Sequence, residues 1–176
     1  MTLSFLQHIN GEPTYFPEKI WSGLRHLEVG SELANYLRSR YSCEKSILDF
    51  EPKLHTIRKD EKDRWKVGAK IHMVINNRTK DRLQFAPVLE VKSMQKIKIA
   101  RSVKGNHTEV AVYIDDKQFG TATFLADSPM SYSDELRVLA FNDGFDALNS
   151  TLKLSFFQWF SEDFEGKIIH WTELKY

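Results

Sequence analysis

One cysteine, Cys43, stands among 176 residues. A single thiol closes no internal disulfide and builds no zinc cluster, so the fold must rest on its core, and a reducing, cytoplasmic setting is expected. No histidine lies near Cys43 in sequence to activate it as a nucleophile. Carboxylates and histidines do not recur at metal-ligand spacing. His55 and His72 read as strand residues, and neither a metal nor a cofactor is expected. No apolar run approaches the ~18 residues of a membrane span. The opening MTLSFLQHING has no basic segment ahead of an apolar one, so no secretory signal and no membrane partner are expected. Net charge is +1, which excludes a polycation. Internal repeats and low-complexity tracts are missing too.

A hydrophobic fraction of 41%, with 12% aromatic residues, suits a packed core rather than a disordered chain. The length suits one domain over residues 1–176. Charge is segregated along it. From Arg78 to Lys104, eight Lys/Arg (78, 80, 82, 92, 96, 98, 101, 104) stand against Asp81 and Glu90, a balance of +6. From Asp127 to Gly166, eight Asp/Glu (127, 134, 135, 143, 146, 162, 163, 165) stand against Arg137 and Lys153, a balance of −6. Either the basic run is a footprint for phosphates or the two runs pair with each other; both readings stand open here.

Leu3, Phe5 and Leu6 suggest a first strand, ended by Gly11-Glu12-Pro13. Ile20, Trp21 and Leu24 mark a helix over Glu18–Leu24, with Pro17 at its first turn and Phe16 stapling its start. Ser31 is the expected N-cap of a second helix bearing Leu33, Ala34, Leu37 and Tyr41. After Pro52 come short strands at Leu54–Arg58 and Lys70–Ile75, then a longer interrupted one over Phe85–Arg101. Thr108–Asp115 alternates with period two and pairs with Phe119–Phe124 as a hairpin, Gly120 marking a bulge. Ser131 or Ser133 caps a helix to about Phe141, Ser131 with Asp134 as a capping box, and Gly144 closes it. A further helix is expected over Asp146–Asp163, stopped by Gly166, with Phe156, Trp159 and Phe160 in the core. A last strand follows at Lys167–Trp171. The sum is α+β, mostly antiparallel, with strands short enough for a small closed or half-closed β-barrel.

The densest chemistry lies in Pro52–Gly68, PKLHTIRKDEKDRWKVG, which reads as the rim of a site. Lys53-x-x-Thr56-x-Arg58, preceded by Phe16-x-x-Lys19-Ile20-x-x-Gly23 and followed by Trp65-x-x-Gly68, resembles the ASCH superfamily, whose fold is a PUA-like β-barrel. Leu139–Phe145, Trp159-Phe160 and Ile168–Trp171 look like that family's closing elements. Two departures stand out. Residues 24–51 form an inserted helical arm where the family's glycine and lysine are nearly adjacent, and Asp143 stands where the family's enzymes carry Glu.

The resemblance implies RNA or a modified nucleotide or nucleoside bound beside Lys53, Thr56 and Arg58. Trp65 would be a stacking contact, and the basic run starting at Arg78 and Lys80 would flank the cleft. At the motif the chain is also similar to bacterial N4-acetylcytidine amidohydrolases. That implies Lys53, Thr56 and Asp143 as catalytic residues: a hydroxyl nucleophile, a lysine of lowered pKa as its base, and a carboxylate to pass a proton to the leaving amine. Arg58 would hold a carbonyl, carboxylate or phosphate. Positions three apart on an ideal strand face opposite sides, so Lys53 and Thr56 meet only if the chain bends at Leu54 or the lysine reaches around. Plainer roles compete. Thr56 is also an ordinary strand residue, Arg58 a partner for Asp60 or Asp143, Asp143 a helix-end residue, and Trp65 a core anchor. A third class of function is self-association or partner binding through Tyr36, Leu37 and Tyr41 of the arm.

Overall fold

The computed structural model describes residues 1–25, 35, 39, 49–125, 128–148, 150 and 154–176. Most of the arm, with Ser31, Leu33, Ala34, Tyr36, Leu37, Tyr41 and Cys43, therefore lies outside the described residues. The described chain is α+β. Strands are β1 Thr2–Ser4, β2 His8–Ile9, β3 Glu12–Pro13, β4 His55–Arg58, β5 Lys70–Ile75, β6 Leu83–Gln84, β7 Leu89–Glu90, β8 Ser93–Lys104, β9 His107–Ile114, β10 Lys117–Leu125, β11 Ser128–Tyr132 and β12 Phe164–His170. Helices are α1 Phe16–Leu24, α2 Asp134–Asn142 and α3 Phe156–Trp159.

Two sheets carry the architecture. One is six-stranded in the order β11-β10-β9-β8-β12-β4; in the other, β5 pairs with β1, β6 and β7. All pairs are antiparallel except β1 with β5. The six-stranded order runs open from β11 to β4, and no closed ring of strands forms among the described residues. The alternation Val110, Val112, Ile114 is buried on one face of β9, as a half-covered strand requires. The hairpin register shifts between Gln118 and Gly120, the bulge marked by the glycine. One continuous core joins both sheets to α1 and α2. Phe5 lies near its middle, edge-on to Phe16, Phe85 and Trp171 at 5.8–6.5 Å between ring centres.

Three expectations are corrected. The helix over Asp146–Asp163 shrinks to the single turn α3, because Leu148, Leu154, Phe156, Phe157 and Phe160 bury themselves without needing helical repetition. Ala147 bridges Ser155, and Phe156 and Phe160 pack ring on ring at 4.8 Å. Gly166 does not stop a helix. It lies inside β12, where a Cβ would come within 2.5 Å of the Arg58 carbonyl. Ser131 belongs to β11, so Ser133 alone is the N-cap, and Asp134 and Glu135 complement the helix dipole. No helix among the described residues is long and apolar enough to cross a membrane.

His55 and His170 oppose each other across β4 and β12, with ring centres 5.3 Å apart and both fully buried. Neither ring nitrogen of His170 has a hydrogen-bond partner among the described residues. Burial lowers His170 to about 4 and holds His55 well below the usual imidazole range. The unfolded chain therefore binds more protons between about 4 and 6.5, and stability falls as pH drops through that window. Urea midpoints measured from pH 7 to pH 4 should decline, and His170→Leu should flatten the decline. A slope unchanged in His170→Leu would contradict this origin.

Candidate functional site

Lys53 is placed by backbone contacts that lie outside either sheet. Its N–H donates to the Lys19 carbonyl at 2.9 Å, and the Leu54 N–H donates to the Asn142 carbonyl at 2.8 Å. These bonds tie the lead-in of β4 to the middle of α1 and the end of α2. The close approach to α1 passes over Gly23, where a Cβ would stand 3.0 Å from the Leu54 side chain and 3.1 Å from the Lys53 carbonyl. Because β4 begins only at His55, Lys53 precedes the strand, and strand alternation does not set its direction.

Asp143 follows α2 as its C-cap. Gly144, at φ +85°, donates to the Phe141 carbonyl and Phe145 to the Ala140 carbonyl, the paired bonds of a Schellman end. That turn aims Asp143 inward at 3% exposure. Lys53 Nζ donates to Asp143 Oδ1 at 2.6 Å and to the Asp143 carbonyl. The same Oδ1 accepts from the Ile57 N–H at 3.3 Å. Nζ also sits 4.7 Å from the centre of the Phe16 ring. A Cβ at residue 144 would meet Lys53 Cδ at 3.0 Å, so only glycine suits both the left-handed turn and the lysine packed on it.

Burial pushes Lys53 down to about 8, with Arg58 and Lys19 adding to the effect and Asp143 opposing it. Burial likewise raises Asp143 above the usual carboxylate range, against the pull of Lys53, Arg58 and the Ile57 N–H. Both groups are thus driven toward their neutral forms by the same desolvation. Arg58 is lowered by burial too; its guanidinium donates to the Ser4 carbonyl at 3.0 Å and lies 5.3 Å from the Phe5 ring centre. Beneath the pair, His55 Nε2 meets the Tyr176 hydroxyl at 2.7 Å, and Asn142 Nδ2 donates to that hydroxyl at 3.0 Å. His55 Nδ1 is 3.8 Å from Asp143 Oδ1, within Coulombic reach but too long for a hydrogen bond.

A cavity of about 20 Å³ is lined by Lys53, Thr56, Arg58, Asp143, Phe16 and Trp159, with four further neighbours. Thr56 is buried on β4, and its hydroxyl makes no hydrogen bond to a described residue. Lys53, Thr56, Arg58 and Asp143 therefore meet in one place. Trp65, Arg78 and Lys80 are not among its lining residues. Trp65 is buried in the core at 5% exposure, its backbone N–H donating to Asp60 Oδ2. Arg78 and Lys80 are exposed on the turn between β5 and β6. Half of the eight basic side chains pair with acids: Lys98 with Glu165 at 2.9 Å, Lys104 with Glu109 at 2.6 Å, Lys96 with Asp116 at 3.5 Å and Lys92 with Glu173 at 3.9 Å. The backbone N–H of Arg101 donates to Asp163 at 2.8 Å. Lys98 and Glu165 are direct neighbours across β8 and β12, so the two charge runs meet there.

Two participants were missed from sequence. Lys19 donates to the Gly144 carbonyl at 2.8 Å and pairs with Asp146 at 2.5 Å, pinning the loop that carries Asp143. Trp159, expected in the core, is 43% exposed and stands at the cavity. The polar run Ser161-Glu162-Asp163 that follows it is the one sign of exposure in the sequence. Compared with known proteins, the chain matches no family model, no curated protein and no solved structure.

Gly144→Ala should cost about 1–3 kcal/mol in urea unfolding, from the left-handed turn and the displaced lysine. An unchanged midpoint would show that this turn does not hold the pair.

Proposed function

We propose that the chain is an amidohydrolase that removes the acyl group from a nucleoside of the N4-acetylcytidine kind. The observation that carries this reading is the meeting of Lys53, Thr56 and Asp143 in one buried cavity beside Arg58. A threonine hydroxyl needs a base, and a lysine lowered to about 8 supplies one near neutral pH. The Thr56 oxygen bonds to the acyl carbon while its proton passes to neutral Lys53. The carbonyl oxygen, now an oxyanion, is held by Arg58. Asp143, protonated by Lys53, hands that proton to the amine nitrogen as the C–N bond breaks, releasing the free amine. Water then attacks the acyl-threonine ester, losing a proton to neutral Lys53, which passes it to the departing Thr56 oxygen; this restores the hydroxyl and frees the carboxylic acid. A cavity of about 20 Å³ holds about one water, enough for this second step.

The same arrangement supports the resemblance to the ASCH superfamily and its PUA-like fold: helix, Gly23, Lys53, Thr56 and Arg58 act as one unit, as that motif implies. A cytoplasmic role on free nucleosides or RNA fits this reading. Paired charges on the basic strands favour a small ligand over a long polyanion. One observation supports a second reading, binding without turnover: Lys53 and Asp143 already satisfy each other at 2.6 Å.

Incubation with N4-acetylcytidine should release cytidine, detected by chromatography. Lys53→Met and Thr56→Val should lower the rate by about 100-fold or more. The rate should climb as pH rises through about 8, because the neutral lysine is the base. Saturable binding without cytidine release would favour the second reading; equal rates in wild type and Lys53→Met would end the first.

A further inference from the structure

We infer that the Trp159 indole is the movable wall on which a planar ligand stacks, and that the acidic groove outside it selects an uncharged ring over a phosphorylated one. This rests on the nucleoside reading above. The inner cavity has room for about one water, so no pyrimidine ring reaches Thr56 until a lining residue moves. Most of its lining cannot move freely: Lys53, Phe16, Ile57, Asp143 and Phe145 are buried. Trp159 and Leu6 are exposed, at 43% and 51%. Trp159 also lines a separate groove of about 440 Å³ and is the one residue common to both spaces. Turning its side chain joins the groove to the cavity, and an exposed side chain changes rotamer within nanoseconds.

Its surroundings leave it free to do so. Phe156, Phe157 and Phe160 lock one another in edge-on and tilted contacts at 4.8–5.2 Å. Trp159, in the same short helix, has no ring contact with a described residue. The other three tryptophans are core residues, Trp21 at 3%, Trp65 at 5% and Trp171 at 1% exposure.

Charge sets the selection. The groove is lined by Glu162, Asp163 and Glu165 against one cation, Lys59. Lys59 is occupied by Glu61 at 2.7 Å. Glu162 has no ion-pair partner among the described residues and is exposed. Inside, Lys53 is matched by Asp143 at 2.6 Å, which leaves Arg58 as the group that can hold an acyl oxygen. A neutral nucleoside suits this polarity, with its ring on the indole, its acyl oxygen toward Arg58 and its sugar in the groove. A 5′-phosphate would meet the unpaired Glu162 first, beside Asp163 and a Glu165 that Lys98 already holds at 2.9 Å.

The test is tryptophan fluorescence on the full chain, wild type and the Thr56→Val variant, titrated with N4-acetylcytidine and with its 5′-monophosphate. The nucleoside should shield Trp159 from acrylamide in a saturable way. The monophosphate should bind several-fold more weakly, and Glu162→Lys should narrow that gap. Trp159→Ala should weaken nucleoside affinity by about 5- to 150-fold, the range of one base stacked on an aromatic ring, raising KM more than it lowers kcat. Trp159→Phe should keep most of the affinity and guards against misfolding of the alanine variant. If Trp159→Ala hydrolyses the nucleoside with unchanged KM, the stacking wall is wrong while the amidohydrolase reading stands. If the monophosphate binds better than the nucleoside, the selection is wrong. Absence of binding to both, in every form of the protein, removes this inference and the reading beneath it.

Discussion

The ion pair between Lys53 and Asp143, buried at 1% and 3% exposure, is the constraint on which the rest of the site depends. Its partners are ninety residues apart in sequence. They meet only because the end of α2, the middle of α1 and the lead-in of β4 are bonded to one another. Gly23 lets the lead-in lie against α1, and Gly144 turns Asp143 inward under the lysine stem. Lys19 then fixes the loop from the far side through Gly144 and Asp146.

Such a pair is not a source of stability. Removing a lysine and a carboxylate from water costs several kcal/mol each, and their attraction returns only part of it. The lowered Lys53 pKa carries the same message. The unfolded chain binds more protons between about 8 and 10.5, so stability falls as pH drops through that range. The raised Asp143 carboxyl acts in the opposite pH direction: there the folded chain binds the extra proton, so stability falls as pH rises through its titration. Two apolar side chains of similar volume would cost the fold less than this pair does. The neutral His55, braced by Tyr176 and Asn142, adds no competing charge beneath them.

The sheet and its hairpins were legible in sequence because alternation in Val110, Val112 and Ile114 follows directly from one covered face. Helix α1 and the Gly144 stop were legible for similar local reasons: Pro17 at the start, a left-handed residue at the end. The region after Asp146 was not. Its aromatic residues recur at nearly helical spacing, yet ring-on-ring packing satisfies them in one turn, and a strand takes Phe164. That Lys53, Thr56, Arg58 and Asp143 lie together follows from the resemblance to the ASCH motif and not from spacing, which sets Lys53 and Thr56 on opposite sides; the bend that frees Lys53 from alternation is set by Lys19 and Asn142. Of the two roles open to Trp65 in sequence, core anchor and stacking contact, its burial fits the first. Trp159 was hidden for the opposite reason, an aromatic residue among core aromatics. Charge runs separated by about sixty residues cannot reveal in sequence that β8 and β12 are neighbours.

The central claim is that Lys53 is a desolvated base coupled to Asp143. Titrating the Lys53 side-chain nitrogen by heteronuclear NMR, with Lys53→Met to assign the signal, tests it most directly. The expected midpoint is about 8, moving lower in Asp143→Asn as the opposing charge is lost. A midpoint at the ordinary lysine value of about 10.4, unmoved by Asp143→Asn, would contradict it.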